Sequence, residues 1–322
     1  MRAIVQSGYG GTDRLRVAEV PDPVPGQGDV LLRVLATSLN GSDRENLAGT
    51  PFYARSTNGL RRPRDPVPGS DVAGVVVTVG AEVTEFAPGD EVFGELRGYR
   101  GGLAELVATP PDLLARRPAG LSAVEAAAIP QAGCIGLRAV DGVGAGDRVL
   151  VNGAGGSGGG FVVGLAKHRG AHVTAVDHGS KAEFLRALGA DETVAYEAEE
   201  WTTHRGRYDL VVDLVGYRSP FRVNAALAPG GAYRLIGGHT RVLLATLAAG
   251  PVLRLFGRRR VGVLVVPQSR ATLEQVTALV TEGAVAPVVD SVVPLDEAPA
   301  AFARLGSGQT RGKVVVDIAG DG

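Results

Sequence analysis

Apolar and polar positions change their rhythm once along this chain. Up to about residue 120 the apolar residues come in short β-branched runs, VLLRV (30–34) and VAGVVVTV (72–79). They are set between turn-rich stretches such as PDPVPGQGD (21–29) and FAPGDEVFGE (86–95). Runs bounded in this way predict the strands of a compact, partly antiparallel, barrel-like domain. From LSAVEAAAIPQAGCIGLRAV (121–140) the texture is Ala-rich with helical spacing. Beyond residue 147, strands at 148–151, 173–176, 210–214 and 233–236 are joined by helices, among them 158–169 and 181–188. This βαβ alternation predicts a parallel sheet with helices on both faces. An amphipathic helix at 272–282 and a strand at 313–318 close the chain, and no internal repeat is visible.

Composition keeps the picture within ordinary globular proteins. The 322 residues are 45% hydrophobic and 21% charged, enough chain for two cores rather than one. A net charge of −1 gives no general attraction to nucleic acid or to an anionic membrane. The single cysteine, Cys134, excludes a disulfide within the chain and a zinc site of several thiolates, and it suits a cytoplasmic, reducing compartment. No uncharged apolar stretch reaches the roughly 18 residues that a membrane span needs. The opening MRAIVQ lacks the apolar core of a secretion signal and reads as a first strand.

One stretch concentrates glycine: VLVNGAGGSGGGFVVGLAKHRG (149–170). Glycine is the costliest residue to order, so its density there needs a reason. An apolar strand precedes it and a helix follows. The backbone must turn sharply and come close to a guest, and glycine both permits the dihedrals and removes obstructing Cβ atoms. Free N–H groups and the helix dipole then favour an anion, and a dinucleotide pyrophosphate is the usual one. Gly153-x-Gly155-x-x-Gly158 fits the fingerprint, and the shifted reading Gly153-x-x-Gly156-x-x-Gly159 fits equally, with Ser157 inside both. Asp177, at the end of the next strand, stands where an acid reads a ribose. No GxxxxGK[ST] loop is present, which argues against ATP. Asp177 favours a 2′-hydroxyl, whereas His178, Ser180 and Lys181 suit a 2′-phosphate, so both nicotinamide cofactors stay open at this point.

The segments MRAIVQSGYGG, EVPDPVPGQGDVLLRVLATSLNGSD, PVPGSDVAGVVVTVG, FAPGDEVFG, GGLAELVA, AAAIPQAG, VLVNGAGGSGGG, LGADETVAY, YDLVVDLVG, LAPGGAYRLIGG and RGKVVVDI follow one another in order. Together they resemble the zinc-free branch of the medium-chain dehydrogenase/reductase superfamily, the quinone-oxidoreductase-like enzymes. The likeness covers almost the whole chain. It implies an α/β protein: a Rossmann, doubly wound parallel sheet plus a mainly β, GroES-like catalytic domain. The catalytic domain would comprise residues 1–121 and 269–322, with the cofactor domain, 122–268, between them in the chain. In this family Lys181 and Tyr196 match positions that commonly face the 2′-phosphate of NADPH, while Asp177 departs from the usual small hydroxyl residue. The resemblance favours NADPH, with NADH as the alternative. Val215 and Gly237 join the cofactor-binding set, and Lys313 matches a lysine near the cofactor. Zinc-dependent relatives carry Cys-x-Ser/Thr-Asp where this chain has Asn40-Gly41-Ser42-Asp43, and Gly-His-Glu where it has Gly69-Ser70-Asp71. Asn40 and Ser70 are poor metal ligands and Cys134 is off register for a third, so no metal is expected.

A site without metal polarises its substrate by hydrogen bonds and positioning. Quinones and α,β-unsaturated carbonyls accept hydride readily, because the charge delocalises to an oxygen that then takes a proton. Their reduction by NAD(P)H is the expected activity. Asn40 is a candidate to donate an amide N–H to the substrate carbonyl or to contact the nicotinamide ribose; alternatively it caps a turn at Asp43. Ser42 reads as a proton relay or as the cap of a helix at 44–47. Tyr53, in TPFYARSTNGLRRPRDP, is a candidate phenol. Ile135 stands where family members often carry threonine, which removes a hydroxyl beside the nicotinamide. RVLLATLAAGPVLRLFG (241–257), interrupted by Gly250-Pro251, suits a greasy pocket, a subunit interface or a membrane surface, and Arg258, Arg259 and Arg260 after it read as solvated charge. GVLVV (262–266) resembles the last cofactor-domain strand, which often pairs across a dimer in this superfamily, so a homodimer is expected. Two further readings compete: a nucleotide-binding sensor that has lost turnover, and an enoyl reductase that tailors a complex natural product.

Overall fold

A computed structural model describes residues 1–257 and 259–320, except the side chains of Tyr53, Ser56, Thr57 and Phe256. Arg258 lies outside the described residues. The chain divides into two units: residues 1–134, 268–281 and 287–322, and residues 135–267 with 282–286.

In the first unit β1 (Arg2–Gln6) pairs antiparallel with β2 (Leu15–Glu19). β3 (Val30–Leu39) is followed by α1 (Gly41–Ala48) and α2 (Tyr53–Asn58). Then come β4 (Asp71–Val79), β5 (Glu91–Glu95), β6 (Leu106–Thr109) and β7 (Leu114–Arg116). The unit runs past Leu121 to Cys134 because α3 (Ala123–Ala127) packs on β3 and β4 and buries Ala126 and Ala127 completely. α4 (Pro130–Ala139) carries the division between the units within its own length.

The second unit holds β8 (Arg148–Asn152), α5 (Ser157–His168), β9 (His172–Asp177), α6 (Ala182–Ala187) and β10 (Glu192–Ala195). β11 (Tyr208–Asp213), α7 (Pro220–Ala226), β12 (Leu227–Leu235), α8 (Thr240–Gly257) and β13 (Arg260–Val263) complete it. Its six strands are all parallel, in the order β10-β9-β8-β11-β12-β13. Four of the five residues of β8 are buried, as befits a strand covered on both faces, and this is why the segment reads as an unbroken apolar run. Gly250-Pro251 does not interrupt α8. A side chain at Gly250 would strike the Val261 carbonyl, so glycine lets the helix close onto β13, and Val242, Leu243 and Leu253 hold it to the core. Among the described residues no helix is long and apolar enough to cross a membrane.

The chain returns to the first unit through α9 (Arg270–Thr281), β14 (Val289–Pro294), α10 (Ala298–Gly306) and β15 (Lys313–Asp317). β15 completes a seven-stranded sheet, β14-β15-β3-β4-β5-β7, with β6 beside β3. The pairing of β15 with β3 brings Lys313 next to the end of β3. The fold is therefore an α/β protein with a doubly wound parallel sheet and a mainly β second domain.

Candidate active site

The second unit builds a nucleotide cradle at the carboxyl end of β8. Gly153 takes a left-handed φ of +84°, which starts the turn. The turn then closes tightly on the helix. A Cβ at Gly159 would lie 2.6 Å from Ala154 Cα and closer still to the Gly153 carbonyl. Gly156 caps α5 without a side-chain bond, so Ser157, Gly158 and Gly159 begin the helix with N–H groups that have no partner one turn back. Gly158 also sits against Leu214, where a Cβ would come within 2.8 Å of its Cδ2. Three open donors, a helix dipole and removed Cβ atoms fit a pyrophosphate.

Asp177 ends β9 beside this loop, buried. Its carboxylate accepts from Gly155 N–H and His178 N–H, each at 2.8 Å, and pairs with Lys181 Nζ at 3.0 Å. Lys181 is itself buried and lies over Gly155, where a Cβ would be 2.6 Å from its Cδ. The opposing charges of Asp177 and Lys181 therefore answer each other, and Lys181 presents no exposed ammonium. His178 and Ser180 stay at the surface, joined through Nδ1 and Oγ at 2.9 Å, and the half-exposed Tyr196 ring meets His178 edge-on at 5.9 Å. Val215 follows β11 with its N–H on Asp213 at 3.0 Å, and Gly237 follows β12 with a left-handed φ of +73°.

A second polar cluster lies wholly within the first unit. Asp71, fully buried at the start of β4, accepts from Ser38 Oγ and Asn40 Nδ2 at 2.8 Å and from Lys313 Nζ at 3.0 Å. Lys313 is 1% exposed and donates also to Ser38 Oγ and Asn40 Oδ1, at 2.8 and 2.6 Å. It is no surface charge. Asn40 spends its second amide hydrogen on Ser70 Oγ at 2.9 Å, so both of its amide hydrogens are engaged inside the cluster. In this arrangement it has no N–H left to give a substrate carbonyl. The backbone N–H of Asn40 donates to Asp43 at 2.8 Å and so helps open α1. Ser42 is not the cap: it lies inside α1, and its hydroxyl donates to Gln131 Oε1 at 2.8 Å. Tyr53 begins α2, but its side chain lies outside the described ones.

Sequence reasoning missed two members, Glu95 and Gln131. Gln131 Nε2 donates to Glu95 Oε1 at 2.6 Å, and the Gln131 N–H reaches Asp71 at 3.2 Å. Asp43 is pushed up to about 7 by burial, with the neighbouring Asp71 charge adding to it, and its Oδ1 is buried without a partner. Glu95 keeps some exposed surface, but the protein packed around it, then Asp71, push it up to about 8. Both carboxyls hold protons more tightly in the folded state than in the unfolded one. For Glu95 this contribution to stability is complete below the ordinary value of 4.5, shrinks as pH climbs, and is gone above about 8. Glu95→Gln is therefore expected to melt several degrees above the parent at pH 9 and level with it near pH 4.5. Melting curves across that range check it; an advantage independent of pH would contradict the assignment.

Among the described residues no group of three His, Cys, Asp or Glu is placed to hold a metal ion. Around Asn40 and Ser70 the polar groups are an amide, hydroxyls and the carboxyls of Asp71 and Asp43, and a lysine ammonium already lies among them. This set does not fit zinc, which takes thiolate, imidazole and carboxylate ligands.

Comparison with known proteins bears on both units. Residues 26–119 match the alcohol dehydrogenase GroES-like domain and residues 188–316 match the zinc-binding dehydrogenase domain. The chain is 35% identical to a chloroplast envelope quinone oxidoreductase homolog of Arabidopsis thaliana, with 98% of each chain covered. It is 33% identical to a chloroplastic NADPH-dependent alkenal/one oxidoreductase of the same plant, over 98% of this chain and 79% of that one. The quinone oxidoreductase of Coxiella burnetii superposes with a TM-score of 0.89 at 27% identity, covering 99% of both chains.

Proposed function

Since the chain belongs to the quinone-oxidoreductase-like enzymes of the medium-chain dehydrogenase/reductase superfamily, we propose that it reduces a quinone or an α,β-unsaturated carbonyl with NAD(P)H. The observation that carries this reading is the cradle after β8, where three open N–H groups meet a loop stripped of Cβ atoms. Ser157, Gly158 and Gly159 would hold the pyrophosphate, and the end of β9 would receive the adenosine ribose. The bound dihydronicotinamide supplies hydride. The residues of this chain contribute positioning, and a solvent proton completes the reduction; Asn40 and Ser42 are committed to internal partners.

NADPH is the preferred form in this proposal. What supports it is the surface group His178, Ser180 and Tyr196, with Asp177 neutralised by Lys181 so that it does not repel a 2′-phosphate. We propose turnover without metal, on the strength of the Lys313 cluster. We also propose a cytoplasmic homodimer. The single cysteine supports the reducing compartment, and β13, an edge strand flanked by exposed Leu247 and Val265, supports pairing with a second copy; light scattering reads the dimer.

The test mixes purified protein with NADPH and a panel of quinones and enones while the dihydronicotinamide absorbance is followed, with and without a strong chelator. Consumption that the chelator leaves unchanged is the expected result. Binding of NADPH without consumption across the panel would favour the sensor reading instead, and loss of activity to the chelator would remove the metal-free part.

A further inference from the structure

The parallel sheet of the second unit reverses its building direction between β8 and β11. Ligands of such sheets lie outside the carboxyl ends of the two strands at that point. Asn152 and Asp213 are the last residues of these strands and are partners in the ladder. Asp213 is fully buried. Its Oδ1 accepts from Asn152 Nδ2 at 2.8 Å, Val215 N–H at 3.0 Å and Gly216 N–H at 2.9 Å, and its Oδ2 accepts from Tyr233 Oη at 3.0 Å. Four donors converge on two oxygens.

Several other strand aspartates have a cation. Asp177 has Lys181, Asp71 has Lys313, and Asp209, at the opposite end of β11, has Arg148. Asp213 forms no ion pair among the described residues. A buried carboxylate held only by neutral dipoles is expensive, and sites that carry such expense are candidates for function. Its place gives it one. An adenosine half received at β9 and a pyrophosphate at α5 leave the nicotinamide half to the other side of the switch point, where β11 ends.

We propose that Asp213 is a fixed counter-charge for the oxidised nicotinamide, favouring NADP⁺ over NADPH in the bound state and so making the held dihydronicotinamide a stronger reductant. This rests on the reading of the second unit as a nicotinamide-dinucleotide domain. In the reaction a C–H bond of the neutral ring breaks and its electron pair leaves with the hydrogen as hydride. A new bond forms to the quinone or enone, whose oxygen then takes a solvent proton. The ring is left with one positive charge, and Asp213, unchanged throughout, interacts favourably with that charge alone. The residue acts through its field and through the Val215–Gly216 turn it holds; it is a positioning residue.

Asp213→Asn separates charge from shape. An amide oxygen in the place of Oδ1 keeps the three N–H donors, and the amide nitrogen faces Tyr233 Oη, which accepts in turn. Dissociation constants for NADP⁺ and NADPH are measured by titration on the parent, Asp213→Asn and Tyr233→Phe. The expected result in Asp213→Asn is an affinity for NADP⁺ that falls about tenfold relative to NADPH, the scale of one charge acting across a partly buried site. Tyr233→Phe is expected to leave the ratio where it was. An equal loss for both nucleotides, or an unmoved ratio, overturns the proposal while the cofactor reading survives. A parent that binds neither nucleotide overturns the cofactor reading and this inference with it. Should Asp213→Asn not fold, the parent alone decides: NADP⁺ bound at least as tightly as NADPH supports the proposal, and NADPH bound tenfold more tightly defeats it.

Discussion

Lys313→Met is expected to lower the unfolding free energy by about 3–5 kcal/mol, the range for a buried ion pair that loses one partner. Methionine keeps most of the volume of the lysine stem, so the cost is electrostatic. Asp71, without any exposed surface, loses its cation, while Ser38 Oγ and Asn40 Oδ1 lose a donor. For a chain of this size the melting temperature should fall by on the order of 10 °C. The double variant Lys313→Met/Asp71→Asn should recover more than half of the loss, since it removes the stranded charge as well. Urea unfolding of the three proteins measures this. If the single variant costs less than about 1 kcal/mol, the pair is no keystone of the first unit.

Gly159→Ala should weaken NADPH binding by about ten- to hundredfold, the equivalent of roughly 1–3 kcal/mol of overpacking. The added methyl meets Ala154 Cα at 2.6 Å and the Gly153 carbonyl more closely, and both are backbone that cannot step aside. Either the turn opens or α5 moves away from β8, and in each case the open N–H groups lose their aim. The neighbouring Gly160→Ala is the control. Its Cβ would find only Leu188 Cδ1 at 3.8 Å, an ordinary contact, and alanine is the better helix former. Gly160→Ala is expected to bind NADPH as the parent does and to melt no lower. Titration of both variants tells a tight backbone approach from a general intolerance of side chains in this stretch.

Local pattern reached far into this protein. Short β-branched runs between turn-rich stretches and the later βαβ alternation foretold a mainly β part and a parallel sheet, because the runs and spacing of apolar residues report how an element is buried. The glycine cradle was legible for a related reason: its strand, turn and helix are contiguous, and so are its donors. The meaning of Asp177 and Lys181 was less legible. Their residue types point to a 2′-hydroxyl or a 2′-phosphate, yet the two side chains bind each other, and Asp177 also takes the Gly155 N–H.

The cluster of the first unit shows where pattern stops. Ser42 and Asn40 each read as a catalytic group or a local cap, and only the fold supplies the partners that occupy them, Gln131 for one and Ser70, Asp71 and Lys313 for the other. Glu95 sat unremarked in a turn-like stretch, since nothing near it in the chain signals the packing that lifts its proton affinity.

The order of residues by itself determined the strands and helices, the close-approach loop and the kind of guest that loop receives, because these depend on neighbours within a few positions. Tertiary structure alone decided which polar groups are already satisfied and which carboxylates have a cation. Those outcomes turn on contacts such as Lys313 with Asp71, Gln131 with Glu95 or Tyr233 with Asp213, made only when elements apart in the chain pack together and water is excluded between them.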